Sequence, residues 1–202
     1  MTSGRPAPPC VAALVLAAGR STRMGSNKLA APLRGRPMLQ HVVDAALASR
    51  AAPVLVVTGH EPDKVAASLA GRAVTLVANP HFAQGLSTSL KAGLLALPET
   101  AAGAVVLLGD MPEVGAPVID ALIAAFAANP AANAVVPMHQ GQRGNPVLLG
   151  RHLFEAAMRL DGDAGARRLL DGEGVLTLPV ADAAVLRDID TPEALAALRG
   201  AD

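Results

Sequence analysis

Three short runs in this chain place apolar residues at consecutive positions: Val11–Leu16 (VAALVL), Pro53–Thr58 (PVLVVT) and Ala104–Leu108 (AVVLL). A strand with one wet face alternates apolar and polar residues. A run without alternation has to be covered on both faces. A further strand signal lies at Val74–Ala78. Between these runs the pattern turns helical. Pro37–Ser49 has Pro at a first helical position and apolar residues at helical spacing, and "GHEPDKVAASLAG" reads as a turn and a helix closed by Gly71. Leu86–Leu97 is a third helix. Alternating strands and helices, with strands apolar on both sides, predict an α/β fold: three layers, a mostly parallel sheet and helices on both faces. With 202 residues, one domain over residues 11–202 behind a loose tail at 1–10 is the simplest division.

The second half is less regular. A helix over Val118–Ala128 is followed by short strands, Ala134–Pro137 and Pro146–Leu149, around "HQGQRGN". Helical pieces near Leu153–Arg159 and Ala164–Leu170, strands at Val175–Pro179 and Val185–Arg187, and a helix over Pro192–Leu198 capped by Thr191 complete the chain. This suggests hairpin elements added to one side of the sheet. Ligands of such folds lie at the carboxyl ends of the strands. That rule collects "AAGRSTRMGSNK", "NPHFAQGLSTS", "GDMP" and "DIDTP" on one rim.

Composition removes several functions. Seventeen basic and seventeen acidic residues leave no electrostatic footprint for nucleic acid. No Trp or Tyr and only three Phe leave no platform for stacking bases. The N-terminal segment matches a signal peptide only loosely, because prolines crowd its short apolar run. No stretch approaches the roughly 20 apolar residues of a membrane span. The single cysteine, Cys10, cannot pair internally and suits a reducing, cytoplasmic setting. The histidines show no spacing that points to zinc or a catalytic dyad.

The loop "LAAGRSTRMGSNK", Leu16 to Lys28, follows the first strand. Gly19 and Gly25 are separated by five residues and Lys28 lies three beyond, whereas a Walker loop needs the lysine directly after its last glycine. The loop also lacks the G-x-G-x-x-G spacing of a dinucleotide fingerprint. A third arrangement remains: backbone N–H groups wrap a triphosphate while Arg23 forks onto its oxygens and Lys28 adds a point charge.

These residues resemble the signature of nucleotidyltransferases with a glycosyltransferase-A-like fold, the nucleotide-diphospho-sugar transferase type of Rossmann-like sheet. Within them the likeness is to the molybdenum cofactor cytidylyltransferase group of MobA/MocA-like NTP transferases. "GLSTSLKAGL" at 85–94, "LLGDMP" at 107–112, "RGNPVLLG" at 143–150, "LDGDAGARRLL" at 160–170 and "DIDTPEAL" at 188–195 follow in the same order. The resemblance covers nearly the whole chain and implies transfer of CMP from CTP to a phosphorylated acceptor, with release of pyrophosphate. The acceptor it implies is a molybdopterin-type cofactor, with the recipient molybdoenzyme as a partner.

It also implies roles. Arg23, Lys28 and Asp110 carry the chemistry, and Mg²⁺ is held by Asp110 and Asp190. A lone Asp after a strand is usually a turn or cap residue; two of them beside a phosphate loop favour a metal. Asp188 reads as a residue bonded within its own turn. Leu16, Ala17, Ala18 and Gly19 lie against the nucleobase. Related guanylyltransferases have Gly where this chain has Ala18, and the extra Cβ favours a pyrimidine. Ser89 matches a base-bonding position, with capping of the helix as the other explanation, and Gly85 admits a close approach of base or loop. Asp163 and Arg167 fall on the acceptor side. Gly144 and Pro146 either shape the same pocket or form a plain hairpin turn. Three other readings stay open: a related transferase using GTP or a sugar-phosphate acceptor, an NAD(P)H-dependent oxidoreductase in the same cleft, and a non-catalytic carrier of the pterin cofactor.

Overall fold

A computed structural model describes residues 9–19 and 28–199. Its centre is strand β1, Val11–Ala17, in which all seven residues are buried. Ala13, Val15 and Ala17 face one layer of core, and Ala12, Leu14 and Leu16 face the other. This is why the run does not alternate: both faces of the pleat are covered.

Two two-residue strands, β2 (Pro32–Leu33) and β3 (Arg36–Pro37), form a small antiparallel hairpin before helix α1, Met38–Ala48. Strand β4, Val54–Thr58, precedes helix α2, Pro62–Ser68. Strand β5, Thr75–Ala78, precedes helix α3, Leu86–Leu95. Strand β6, Gly103–Leu108, leads to helix α4, Ala116–Ala128. Then come β7 (Ala134–His139), β8 (Gln142–Arg143) and β9 (Val147–Gly150), the short helix α5 (Phe154–Ala157), β10 (Val175–Pro179) and helix α6 (Pro192–Arg199).

The sheet order is β10-β7-β9-β6-β1-β4-β5, with β8 paired to β7. β1 pairs in parallel with both β4 and β6, and β4 with β5. β9 runs antiparallel to both β6 and β7. The expected hairpin elements therefore sit at one side of a parallel sheet. Helices α1, α2 and α4 cover one face, through residues such as Leu39, Val42, Val65, Ile119 and Leu122. Leu90 and Leu94 of α3 and Ala157 of α5 cover the other. Leu14 is fully buried in this second layer; Leu14→Ala would cost about 2–5 kcal/mol.

Winding reverses at β1, whose two neighbours are reached in opposite directions. That is the switch point at which α/β sheets open a crevice beyond their strands' carboxyl ends.

The structure corrects one strand. Val185–Arg187 is not a strand; residues Ala183–Leu186 form a 3₁₀ turn. The Asp182 carboxylate starts it by accepting from the Ala184 N–H at 2.9 Å. Ala184 and Val185 pack into a small core with Met111, Val114 and Val118, not into the sheet. The piece expected at Ala164–Leu170 is likewise a 3₁₀ helix, Ala166–Leu170. Thr191 caps α6 as expected, its Oγ1 accepting from Ala194 N–H at 3.2 Å. Among the described residues no helix is long and apolar enough to cross a membrane.

Candidate active site

Three chain segments meet at the end of β1 and β6. The first is held by Leu29. It is 5% exposed and belongs to the main core, so the 3₁₀ turn Lys28–Ala30 is pinned with Lys28 at the rim. The second follows β6. Gly109 N–H donates to Leu16 O at 3.0 Å, continuing the pairing with β1, and a Cβ at Gly109 would stand 3.0–3.3 Å from Leu16 O, Leu29 and Leu39. Asp110 is therefore the first residue free to turn out of the sheet. The third is residues 188–190. Ile189 N–H donates to Asp110 O at 2.9 Å, and Ile189 is 5% exposed in a small core with Leu33, Met38, Leu195 and Leu198. An inward Ile189 leaves its two flanking aspartates on the opposite side, as alternation in extended chain requires.

The side chains converge. Lys28 Nζ donates to Asp110 Oδ2 and to Asp190 Oδ1, both at 2.6 Å. Carboxylate oxygens of Asp110, Asp188 and Asp190 all lie within 4.8 Å of one another. Burial acts to lower the Lys28 pKa, but the charge and hydrogen bond of Asp110, together with those of Asp190, outweigh it and raise the pKa above its usual value. Lys28 is thus a permanent cation at neutral pH.

Asp110 Oδ1 is buried and has no hydrogen-bond partner among the described residues. Such an orphan is costly unless something else meets it. An all-carboxylate set is also the hard oxygen donor group that Mg²⁺ and Mn²⁺ prefer. The residues fit a divalent ion.

Asp188, whose sequence context predicts a residue bonded within its own turn, joins the carboxylate cluster. Its spacing of two from Asp190 was the available signal. Asp188 also lines a cavity of about 250 Å³ with Leu108, Met111, Arg143, Gly144 and Arg167. Gly144 is needed there, since a Cβ would stand 2.4 Å from Val185 O. Arg143 is tied to Leu170 O and Asp171. Of the four acceptor-side expectations, Gly144 and Arg167 reach this cavity and two do not. Pro146 is buried next to it, and Asp163 lies on an exposed loop packed against Gly85.

The residues expected beside the base stand at the end of β1. Leu16, Ala17 and Ala18 are buried and Gly19 is exposed, with no atom of the described residues within 4 Å of a Cβ placed there. Ala18 O accepts from His60 N–H at 3.3 Å. A Cβ at Gly59 would stand 2.8 Å from the Ala18 Cβ and 2.6 Å from that of Phe82, so this wall is tightly closed. Gly85 has φ +113°, and a Cβ there would meet Gly162 backbone at 2.3 Å; the approach it permits is that of the 161–165 loop. Ser89 is 3% exposed, and its Oγ accepts from Asn79 Nδ2 at 3.0 Å. It therefore anchors the 79–85 segment to α3 and does not cap the helix, whose N-cap is Gly85. Asn79, also bonded to Thr88 and to His81 N–H, was missed in the sequence because its Asn-Pro pair reads as an ordinary turn. Arg23 lies outside the described residues.

A family model described as the MobA-like NTP transferase domain matches residues 13–178, most of the chain and every strand named at the crevice. The chain belongs to the MobA-like NTP transferase family. As a MobA-like domain it is a nucleotidyltransferase, and its fold is that of the family. It is 35% identical to the purine catabolism protein PucB of Bacillus subtilis over 92% of this chain and 94% of that one. It is 28% identical to the molybdenum cofactor cytidylyltransferase of Escherichia coli over 89% and 91%. The bifunctional protein GlmU of Sorangium cellulosum is 34% identical over 77% of the chain, which spans only 34% of that longer relative. Among solved structures, Rv0371c of Mycobacterium tuberculosis superposes with a TM-score of 0.85 at 28% identity, covering 96% of this chain and 100% of that one. The same protein is also known as a complex with manganese (TM-score 0.80, 27% identity, 96% and 100% covered).

Proposed function

We propose that this MobA-like domain transfers CMP from CTP to a phosphorylated acceptor, a molybdopterin-type cofactor, with Mg²⁺ held by Asp110 and Asp190. The observation that carries the reading is the Lys28–Asp110–Asp190 constellation at the switch point, with Asp188 beside it lining the Arg167 cavity. A nucleoside triphosphate laid along Leu16–Gly19 would bring its phosphates to Lys28, with Arg23 on the same loop as the second cation. An acceptor in the cavity would face the α-phosphorus from the far side. Nucleotidyl transfer needs little more than this: the two reactants held in line and charge neutralised as pyrophosphate leaves.

Each residue then has a task. Lys28 holds triphosphate oxygens and offsets the charge that develops on them. Asp110 and Asp190, with Asp188 beside them, hold the metal ion, which would supply neutralising charge to the phosphates. Arg167, which forms no hydrogen bond or ion pair among the described residues, meets the acceptor phosphate. Leu16, Ala17, Ala18 and Gly19 bound the base. The closed wall of Ala18, Gly59 and Phe82 supports a pyrimidine, as does the likeness to the Escherichia coli molybdenum cofactor cytidylyltransferase. The manganese complex of Rv0371c supports a divalent ion. The likeness to GlmU keeps a sugar-phosphate acceptor as the second reading.

Pyrophosphate release from each of the four nucleoside triphosphates, with Mg²⁺ and either molybdopterin or a hexose 1-phosphate, tests the proposal. CTP with molybdopterin is expected to give the fastest release. Fastest release from another nucleotide or with the sugar phosphate would overturn that assignment.

A further inference from the structure

Arg167 lines the acceptor cavity without a hydrogen bond or ion pair to any described residue. It lies in a five-residue 3₁₀ helix, Ala166–Leu170. A helix this short has little stability of its own. The direction of Arg167 therefore comes from what grips the chain on either side of it.

On the C-terminal side the grip is Leu170. It is 3% exposed, and its carbonyl accepts from Arg143 Nη1 at 3.0 Å. On the N-terminal side the grip is the segment 161–165, which rests on the start of α3. Ser87 N–H donates to Gly162 O at 3.0 Å. A Cβ at Gly85 would stand 2.3 Å from Gly162 C, 2.4 Å from its O and 2.8 Å from Asp163 N. These are backbone atoms, so the segment approaches this closely only because Gly85 has no side chain. A Cβ at Gly165 would stand 2.9 Å from Leu86 Cδ2. The platform beneath is fixed. Leu90 of α3 is fully buried, and a Cβ at Gly93 would fall 2.2 Å from Leu14 Cδ1. Asn79 ties the first turn of α3 to the 79–85 segment through Thr88 and Ser89.

We infer that Gly85 and Gly165 are positioning residues for the acceptor: they let the segment 161–165 seat on the start of α3, and that seat aims Arg167 into the cavity. This rests on reading Arg167 as the contact to the acceptor phosphate.

Gly165 is the better handle of the two. Its φ of −75° and ψ of −169° are extended values open to any residue. A side chain there crowds Leu86 without straining the backbone, whereas Gly85, at φ +113°, adds strain to the clash. Gly165 also precedes Arg167 by only two residues. Lifting the segment off α3 moves Arg167 and leaves Leu16–Gly19, at the end of β1, in place. A misplacement of about 1 Å is enough to forfeit most of what a positioned group contributes.

Pyrophosphate release at saturating CTP, with the acceptor varied, reads this directly; the acceptor is whichever of molybdopterin and hexose 1-phosphate the native chain uses. Gly165→Val is expected to raise KM for the acceptor about fivefold or more and to leave KM for CTP within about twofold of native. In an Arg167→Ala background it should add nothing, because the group it displaces is gone. Leu86→Ala removes as many carbons as Gly165→Val adds, so the double variant should return to within about twofold of the native acceptor KM. Leu86→Val is the substitute if Leu86→Ala does not fold. A merely structural Gly165 would lower the folded fraction and leave the acceptor KM alone. An unchanged acceptor KM, an equal effect in the Arg167→Ala background, or a defect that Leu86→Ala does not relieve overturns the inference. Arg167→Ala separates the two levels. If it leaves the acceptor KM unchanged, the reading of Arg167 is wrong and the positioning role falls with it. If it raises that KM while Gly165→Val does not, only the positioning role fails. Release from the native chain with neither acceptor would overturn the proposed reaction and this inference together.

Discussion

Asp110→Asn removes one negative charge from the carboxylate centre and keeps the side chain's shape. At an effective dielectric constant near 20, the lost attraction between Asp110 and Lys28 at 2.6 Å is worth about 6 kcal/mol. The same change relieves repulsion with Asp188 and Asp190. At separations within 4.8 Å each repulsion is worth at least about 3.5 kcal/mol, or at least about 7 kcal/mol for the two. The terms nearly cancel, and Lys28 keeps Asp190 as a partner. The substitution should therefore change stability by about 1 kcal/mol, a shift of about 2–4 °C in Tm for a chain of this size. Activity should fall at least about 100-fold, because charge stabilisation at the phosphates is lost. Calorimetry of the native and variant chains, paired with pyrophosphate release, measures both. Were Asp110 a structural ion-pair partner instead, breaking the pair would cost about 3–5 kcal/mol. A Tm loss above about 6 °C with activity reduced only in proportion to the folded fraction would refute the reasoning.

Three further outcomes follow from other parts of the structure. Gly85→Ala places a Cβ 2.3 Å from the Gly162 backbone at φ +113°, so urea unfolding should show a loss of at least about 2 kcal/mol. Arg167→Ala should raise KM for the acceptor about tenfold or more and leave KM for CTP unchanged; steady-state kinetics with each substrate varied in turn will show it. The hydrogen bond from Arg72 holds the Asp44 carboxyl below its usual pKa, against the opposing effect of burial, with the charges of Arg72 and Arg36 adding to it. A depressed carboxyl stabilises the fold above its unfolded pKa and ceases to do so as pH falls through its folded one. Asp44→Asn should therefore lower the urea midpoint at pH 7, and the gap from the native chain should close below about pH 4.

Much of the fold was legible because it was written in unbroken apolar runs. β1, β4, β6 and β10 fall within a residue or two of where the sequence places them, and the two-sided burial of β1 is the reason its run does not alternate. What escaped was short and held by tertiary contact. The β2–β3 hairpin is two residues to a strand and owes its place to Leu33 under α6. Val185 looked like strand because it is apolar and β-branched, yet it packs against Met111 and Val118 in a core away from the sheet. At the site, Lys28, Asp110 and Asp190 were visible as charged residues that follow strands or precede a proline. Their meeting depends on the Ile189–Asp110 backbone bond, which no local pattern encodes. The same bond brings in Asp188. Ser89 is a further case: its Oγ accepts from Asn79 Nδ2 across the 79–85 turn, a tertiary bond that no local pattern encodes.

The central claim is that the α-phosphorus of CTP is attacked by an acceptor phosphate while pyrophosphate leaves. Following CTP labelled in turn at the α- and γ-phosphorus, with molybdopterin and Mg²⁺, tests it most directly. The account predicts that the α-label appears in the acceptor product and the γ-label in pyrophosphate, at equal rates. Transfer of the γ-label to the acceptor, or acceptor chemistry that leaves both labels in intact CTP, would contradict it.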